Sequence, residues 1–539
     1  MWKRLVGIFC VICAAFTILY LRIGSIATDS FYVQAGQRQS DYTLELTINR
    51  GFIYDHELRP LVNQTQKHIA AILVTQENAE EVAEITDLTK QEIQERLQDG
   101  KPFLQEVHTA ESEDDNIIIF SVYNRYEEDQ TAAHLIGYLS DGTGVSGLEK
   151  SYQELLEKGK RTAKITYTLD AMGRAIPGTK PQVRYEQEST EGVVLTIDSR
   201  IQKICERAGK EIEKGAIVVM DCKTGKLRAV CSFPAYSTYS LSQAMNSEDA
   251  PMINRAFTPL SVGSTFKIAV AAAAIEQGIP TSLEYECTGA FQLGETVMHC
   301  HNREGHGVLT MEEAMVHSCN PYFINLGLQL EKDSLLRIAK DLSFGKSYEL
   351  APGLKTQTGI LPDDLTDGQL ANLSFGQGDL LGTPVQLAQM VSAMVNGGIT
   401  PTPSLVEGTV TEQGAWKTAN DTPIGIQAVK QTTAYRLQSF LISCVEAEGQ
   451  NAQSSLTTAG GKTATAQTGV YENGDELVNG WFVGFTPAAD PEYVVSVVVE
   501  DADSGNITAS PIFSEIAGKI ALLHNADAGA DDFSVGNSG

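Results

Sequence analysis

The eight residues from Ile268 to Ile275 are all apolar, and no other segment constrains the fold as strongly. A helix with no polar side must be buried all round, so a core has to enclose this one. Just before it stand Gly263 and the tetrapeptide Ser264-Thr265-Phe266-Lys267. Residues three apart share a helix face, which places Lys267 beneath the Ser264 oxygen. A serine hydroxyl is a poor nucleophile until a base lies within hydrogen-bond reach. Burial disfavours an ammonium and lowers a lysine's pKa, which turns lysine into a base near neutral pH. Ser-x-x-Lys recurs by chance about once or twice in a chain of this length, so its weight depends on its surroundings.

A chain of 539 residues predicts two or three domains. Its 68 acidic side chains against 40 basic ones give a net charge of −28, a surface that repels phosphate backbones. Nucleic acid is therefore not an expected partner. Lys3 and Arg4 precede an uncharged stretch of 17 residues from Leu5 to Leu21, closed by Arg22. At 1.5 Å per residue it covers roughly 26 Å, at the low end for crossing a membrane. A signal peptide cut near Ser25-Ile26-Ala27 is the competing reading. The stretch is longer than the usual signal core, which favours an uncleaved anchor over residues 1–30. The basic residues ahead of it keep the N-terminus cytoplasmic and the rest of the chain outside.

Short strands and charged helices alternate over 31–185, with strands at Thr43 to Ile48 and Ile117 to Tyr123 and one or two solvated helices from Glu77 to Leu97. That region holds no catalytic cluster and reads as a structural or partner-binding module. Pro181 to Glu191 is polar and charged and reads as a linker. A second domain is expected over 192–525, with strands at Val193 to Ile197, Ala216 to Met220 and Leu227 to Cys231. Further strands are expected at Gly480 to Phe485 and Tyr493 to Glu500, before a helix carrying Ile512, Ile516, Ile520 and Leu523. Strands at both ends with helices between predict an α+β domain whose sheet joins distant segments. Residues 526–539 read as a disordered tail.

Two motifs follow the serine in order. Ser318-Cys319-Asn320 lies 54 residues after Ser264, and Lys462-Thr463-Ala464-Thr465 lies 144 residues further on. Together they supply a nucleophile with its base, a hydroxyl and an amide that relay protons, and a cation beside a strand. This series resembles the penicillin-recognising acyl-serine transferases, which carry S-x-x-K, S-x-N and K-T-G in that order. Other segments resemble the class B penicillin-binding proteins, the monofunctional peptidoglycan D,D-transpeptidases. They are Arg50-Gly51-x-Ile53-x-Asp55, the run Gly144 to Tyr152 (G-V-S-G-L-E-x-x-Y), and Leu195-Thr196-Ile197-Asp198 with Gln202. Ser374-Phe375-Gly376-Gln377-Gly378 with Thr383-Pro384-x-Gln386, and Trp481 to Phe485, complete the set.

The resemblance implies an α+β protein with a membrane anchor helix, an elongated pedestal domain and a transpeptidase domain of antiparallel sheet flanked by helices. It implies that Ser264 forms an acyl-enzyme at the penultimate D-Ala of a stem peptide and that Lys267 takes its proton. Ser318 and Asn320 would pass that proton to the leaving D-Ala, and Lys462 and Thr463 would bind the terminal carboxylate. The backbone N–H groups of Ser264 and Thr465 would form the oxyanion hole, with donors worth about 3–4 kcal/mol each. Beta-lactams would trap Ser264, a membrane glycosyltransferase would be the partner, and the chemistry would need no cofactor. A D,D-carboxypeptidase, a β-lactamase, or a catalytically silent scaffold or sensor of the wall-building machinery are the alternatives. Ala464 stands where the family has glycine, and altered affinity is the expected consequence.

Cys287, Cys300, His306 and Cys319 are spaced 13, 6 and 13 residues apart, and thiolates and imidazole are zinc's preferred ligands. Some elongation-type class B relatives hold zinc with a His and a Cys placed alike. A structural zinc, a Cys287–Cys300 disulfide, and three buried thiols with a loop histidine all stay open.

Overall fold

The computed structural model describes residues 1–30, 40–176, 178–447, 450–472 and 474–535. They fall into two units. One comprises 1–51, 63–125 and 157–190, and the other 52–62, 126–156 and 191–539. The single boundary expected between 185 and 192 is thus replaced by an interleaved path. Ile53-Tyr54 joins the larger unit because it pairs in parallel with Glu191–Leu195. Residues 126–156 join it because Leu135, Ile136, Leu148 and Leu156 are buried in its core.

The smaller unit begins with the helix Trp2–Thr28, whose mean hydropathy over 18 residues is 2.3 and which has no buried residue. At roughly 40 Å it is long and apolar enough to cross a bilayer. One sheet joins Asp41–Asn49, Arg161–Thr168 and Gln182–Glu186; another sets Gln66–Ile72 between Phe103–Val107 and Ile117–Tyr123. The expected linker at 181–191 is therefore partly strand. Every residue of Gln182–Glu186 is exposed, and although Val183 and Tyr185 alternate with polar residues, two apolar positions among charged neighbours are too few to mark a half-buried strand. The helical stretch at 77–97 divides into Ala79–Ile85 and Lys90–Asp99, the latter closed by a capping box between Thr89 and Glu92.

The larger unit is built on a five-stranded antiparallel sheet: β1 (Gly215–Asp221), β2 (Leu227–Phe233), β3 (Gly460–Glu472), β4 (Asp475–Thr486) and β5 (Tyr493–Val499). Their order is β2-β1-β5-β4-β3, so the first and last thirds of the unit share one sheet and β3 is an edge strand. Side chains alternate between its faces as the pleat requires. Ala216, Val218, Met220, Trp481 and Val483 face the larger core, while Ile217, Val219, Phe482, Val495 and Val497 face a second one. The larger core surrounds helix α1 (Lys267–Glu276), in which every residue from Ile268 to Ala274 is fully buried. Around it pack α2 (Met311–Val316), α3 (Asn320–Gly327), α4 (Lys332–Asp341) and α5 (Gln431–Ala447). On the opposite face lies α6 (Ala509–Val535), through Phe513, Ile516, Ala517 and Ile520. The tail expected to be disordered from 526 continues this helix to 535, in keeping with the strong helix propensity of Ala526, Ala528 and Ala530. Residues 536–539 lie outside the described residues.

Candidate active site

Ser264 lies on a 3₁₀ turn, Gly263–Phe266, that leads directly into α1. In a 3₁₀ turn side chains at i and i+3 eclipse, so Ser264 and Lys267 project from one edge. The turn is tightly pinned. A β-carbon on Gly376 would stand 1.8 Å from the Gly263 carbonyl oxygen, so only glycine allows the loop after Leu373 to press against it. Gly263 itself has φ +55° and would clash with the Ala466 side chain if it carried a β-carbon. The Trp481 indole, fully buried, donates to the Ser261 carbonyl at 2.8 Å and ties β4 to the same region.

Lys267 is fully buried, and its Nζ donates to Ser318 O (2.6 Å), Ser318 Oγ (3.1 Å) and Asn320 Oδ1 (2.7 Å). Three acceptors suit an ammonium. Burial opposes it and pushes Lys267 well below the ordinary lysine range, with the Lys462 cation adding to the effect. The site therefore balances the two protonation states of one lysine. Ser318 sits between α2 and α3 with φ +51°, a strained conformation for a non-glycine residue that turns both its carbonyl and its hydroxyl toward Lys267. Among the described residues Ser264 Oγ makes no hydrogen bond. The base expected beneath it instead directs its donors to the Ser-x-Asn segment.

Lys462, Thr463, Ala464 and Thr465 form the wall on edge strand β3. Lys462 is buried, with Nζ 3.4 Å from the Thr463 carbonyl. Ala464 is buried too. A β-carbon on Gly263 would stand 3.3 Å from its methyl, which places that methyl toward the nucleophile turn. Ser264, Ser318, Asn320 and this strand line one cleft of about 570 Å³. A partly exposed serine above a buried lysine, beside an edge strand, suits acyl transfer from an extended peptide.

Residues 215–518 match the family described as the penicillin binding protein transpeptidase domain. The chain belongs to that family. Stage V sporulation protein D of Bacillus subtilis is 32% identical over 411 residues, which cover 71% of this chain and 61% of that protein. The chain thus spans about three-fifths of that relative's length. Among solved structures, the D,D-transpeptidase domain of a peptidoglycan glycosyltransferase from Eggerthella lenta is 25% identical. It has a TM-score of 0.64 and covers 88% of this chain and 99% of that one. The penicillin G acyl-enzyme of penicillin-binding protein A from M. tuberculosis has a TM-score of 0.65 at 21% identity. That likeness covers 88% of this chain and 99% of that one and is one of fold.

Two penicillin-binding-protein motifs outside the cleft have structural roles here. The Asp55 carboxylate accepts from the Ser199 hydroxyl (2.6 Å) and from the backbone of Glu57 and Arg59, fixing the turn of the R-G-x-I-x-D segment. Glu149, fully buried, accepts from the Tyr126 hydroxyl at 3.1 Å.

Cys287, Cys300, His306 and Cys319 come together as the spacing argument expected, with one ligand atom from each lying within 4.8 Å of the others. A tetrahedron with metal–sulfur bonds of about 2.3 Å has edges of about 3.8 Å, so the four donors fit a zinc ion. None of the nine cysteines forms a disulfide. The three thiols are buried, and Cys300 Sγ lies 3.6 Å from His306 Nδ1. A hydrogen bond from Cys319 holds the Cys300 thiol far below its ordinary pKa, a thiolate suited to a cation.

The cleft wall also includes residues to which the sequence motifs assign no role, among them His301, His317, Phe375, Gln377 and Asn506. Phe375 and Gln377 stood in a quoted family segment without a role, and His317 immediately precedes Ser318. For His301 and Asn506 the sequence carried no signal.

Proposed function

We propose that this chain is a membrane-anchored serine D,D-transpeptidase that crosslinks peptidoglycan stem peptides. The observation that carries the reading is the buried Lys267 held between Ser318 and Asn320, one turn below Ser264, in a cleft walled by Lys462. In the neutral state favoured by burial, Lys267 accepts the Ser264 proton as Oγ attacks the carbonyl of the penultimate D-Ala. The peptide bond breaks, and the proton passes by way of Ser318 to the nitrogen of the leaving D-Ala. An amine of a second stem peptide then attacks the Ser264 ester, gives up a proton to the same relay, and restores the hydroxyl. The N–H groups of Ser264 and Thr465 hold the developing oxyanion, while Lys462 and Thr463 hold the terminal carboxylate.

Beta-lactams are trapped at Ser264 in this reading, as penicillin G is in the mycobacterial relative of like fold. Trp2–Thr28 anchors the chain as a single span, with the N-terminus cytoplasmic and the catalytic unit outside. A membrane glycosyltransferase supplies the glycan strands. Cys287, Cys300, His306 and Cys319 would hold a structural zinc. Bound there, the ion supplies no chemistry to acyl transfer and cross-braces the segment that carries Ser318 and Asn320.

Labelling with a fluorescent penicillin, followed by turnover of a D-Ala-D-Ala pentapeptide with an acceptor amine, tests the assignment. Expected are label on the wild type, none on Ser264→Ala, and a crosslinked product with release of D-Ala. D-Ala release without crosslinking would indicate a carboxypeptidase. No label on the wild type, or equal label on Ser264→Ala, would sink the enzyme reading in favour of a scaffold.

A further inference from the structure

Asn506 belongs to none of the motifs above, yet it forms part of the cleft wall together with Thr465. It stands on the loop between β5 and α6, and two glycines bring that loop to the cleft. A β-carbon on Gly505 would stand 2.3 Å from the carbonyl oxygens of both Ala464 and Trp481. One on Gly480 would stand 2.6 Å from Thr508 Oγ1 and 3.2 Å from the Gly505 nitrogen. With no side chain at either place, the loop lies directly on β3 and β4. There the Gly505 N–H donates to Thr465 Oγ1 at 3.4 Å, and Asn451 Nδ2 donates to the Asn506 carbonyl at 2.9 Å.

The backbone of Asn506 is thus held, but its carboxamide is not. Among the described residues the side chain makes no hydrogen bond, and Oδ1 is out of reach of solvent. What water cannot reach a substrate cannot reach either, so the NH₂, which is not shut off in this way, is the part of the carboxamide open to the cleft. A carboxamide offers one acceptor and two donors, the complement of a peptide group. An extended peptide added along the free edge of β3 would run past Thr465 and bring its own amides to this wall.

We propose that Asn506 is a substrate-positioning residue whose side-chain NH₂ donates to a carbonyl of the stem peptide lying along β3; this rests on the transpeptidase reading above. Asn506 lies outside the Ser264–Lys267–Ser318 proton path, so it sets the binding and register of the peptide and moves no proton. A small bicyclic β-lactam, held at Ser264 and Lys462, does not depend on it.

The test uses the full chain in detergent, with pentapeptide kinetics, benzylpenicillin acylation of Ser264 and thermal unfolding measured on the wild type, Asn506→Ala and Asn506→Asp. For Asn506→Ala the expected result is a KM for the pentapeptide raised by roughly tenfold, the worth of one lost hydrogen bond. The accompanying kcat, penicillin acylation and unfolding temperature stay near wild type. Asn506→Asp, which keeps the shape but loses the NH₂ donors, recovers none of the affinity. An unchanged KM overturns the proposal, and so does an equal loss for penicillin and pentapeptide, which marks a structural role. Pentapeptide binding to Ser264→Ala, with and without Asn506→Ala, separates this inference from the reading it rests on. Binding that Asn506→Ala weakens, without turnover by the wild type, sinks only the transpeptidase. A pentapeptide that does not bind overturns both.

Discussion

Lys267 is held by two opposing influences, and each can be changed alone. Burial and the Lys462 charge lower its pKa, while three acceptors around Nζ favour its proton. Acylation of Ser264 should therefore rise with pH through a lysine titrating well below its usual range. Lys462→Gln removes the neighbouring cation, so the acidic limb of the acylation profile should move to higher pH; measuring benzylpenicillin acylation from pH 5 to 9 on both proteins checks this. An unmoved limb would show that Lys462 does not act on Lys267. The same shift affects stability. Between the folded and unfolded pKa values of Lys267 the unfolded chain binds the extra proton, so this group's contribution to stability rises with pH up to about 10.4.

The Ser-x-Asn segment is held at the scale of elements as well as atoms. Cys287 ends the strand Tyr285–Cys287, Cys300 follows the strand Thr296–His299, and Cys319 is the residue before α3. A zinc ion joining them would tie two hairpin strands to the loop carrying Ser318 and Asn320. Metal analysis of the purified protein should find about one zinc per chain. Chelation, or His306→Ala, should lower the unfolding temperature and slow penicillin acylation without abolishing it. No metal, with an unfolding temperature indifferent to chelator, would leave the four residues as a buried thiol cluster.

Across the whole molecule, stability should fall in mild acid for a reason that can be located. His134, on the short helix Ala133–Ile136 of the larger unit, is half-buried against Tyr236 and bonds the Pro251 carbonyl at 2.7 Å through Nε2. Burial, with Arg255 adding to it, brings its pKa down to about 4 against the bond to Pro251. The folded form thus binds fewer protons than the unfolded between about 4 and 6.5. Its contribution is fully present above pH 6.5 and is lost as pH falls toward 4, on the order of 3 kcal/mol in all. His134→Gln should flatten this loss, read as the difference in urea midpoint between pH 7 and pH 4.5. An equal acid loss in both proteins would assign the acid sensitivity to other groups.

Much of the chemistry was legible in the chain because short-range chemistry is written in short motifs. The serine–lysine spacing, the apolar run of α1, the Ser-x-Asn and Lys-Thr-Ala segments and even the four metal-type ligands are statements about residue type and separation. The structure brings all of them together. What the sequence misread depends on long-range pairing. Residues 52–62 and 126–156 joined the larger unit because strands and core partners far along the chain claimed them. The exposed strand Gln182–Glu186 reads as a linker because its two apolar residues, Val183 and Tyr185, are too few among charged neighbours to mark it. The Ser318 carbonyl was equally hidden as a partner of Lys267, since only the strained turn at Ser318 directs it inward. So was Asn506, which reaches the cleft because Gly480 and Gly505 let a distant loop lie on β3. The sequence alone determined which groups can react; the tertiary structure decided which of them meet, because contacts between distant segments are set by packing that no local pattern encodes.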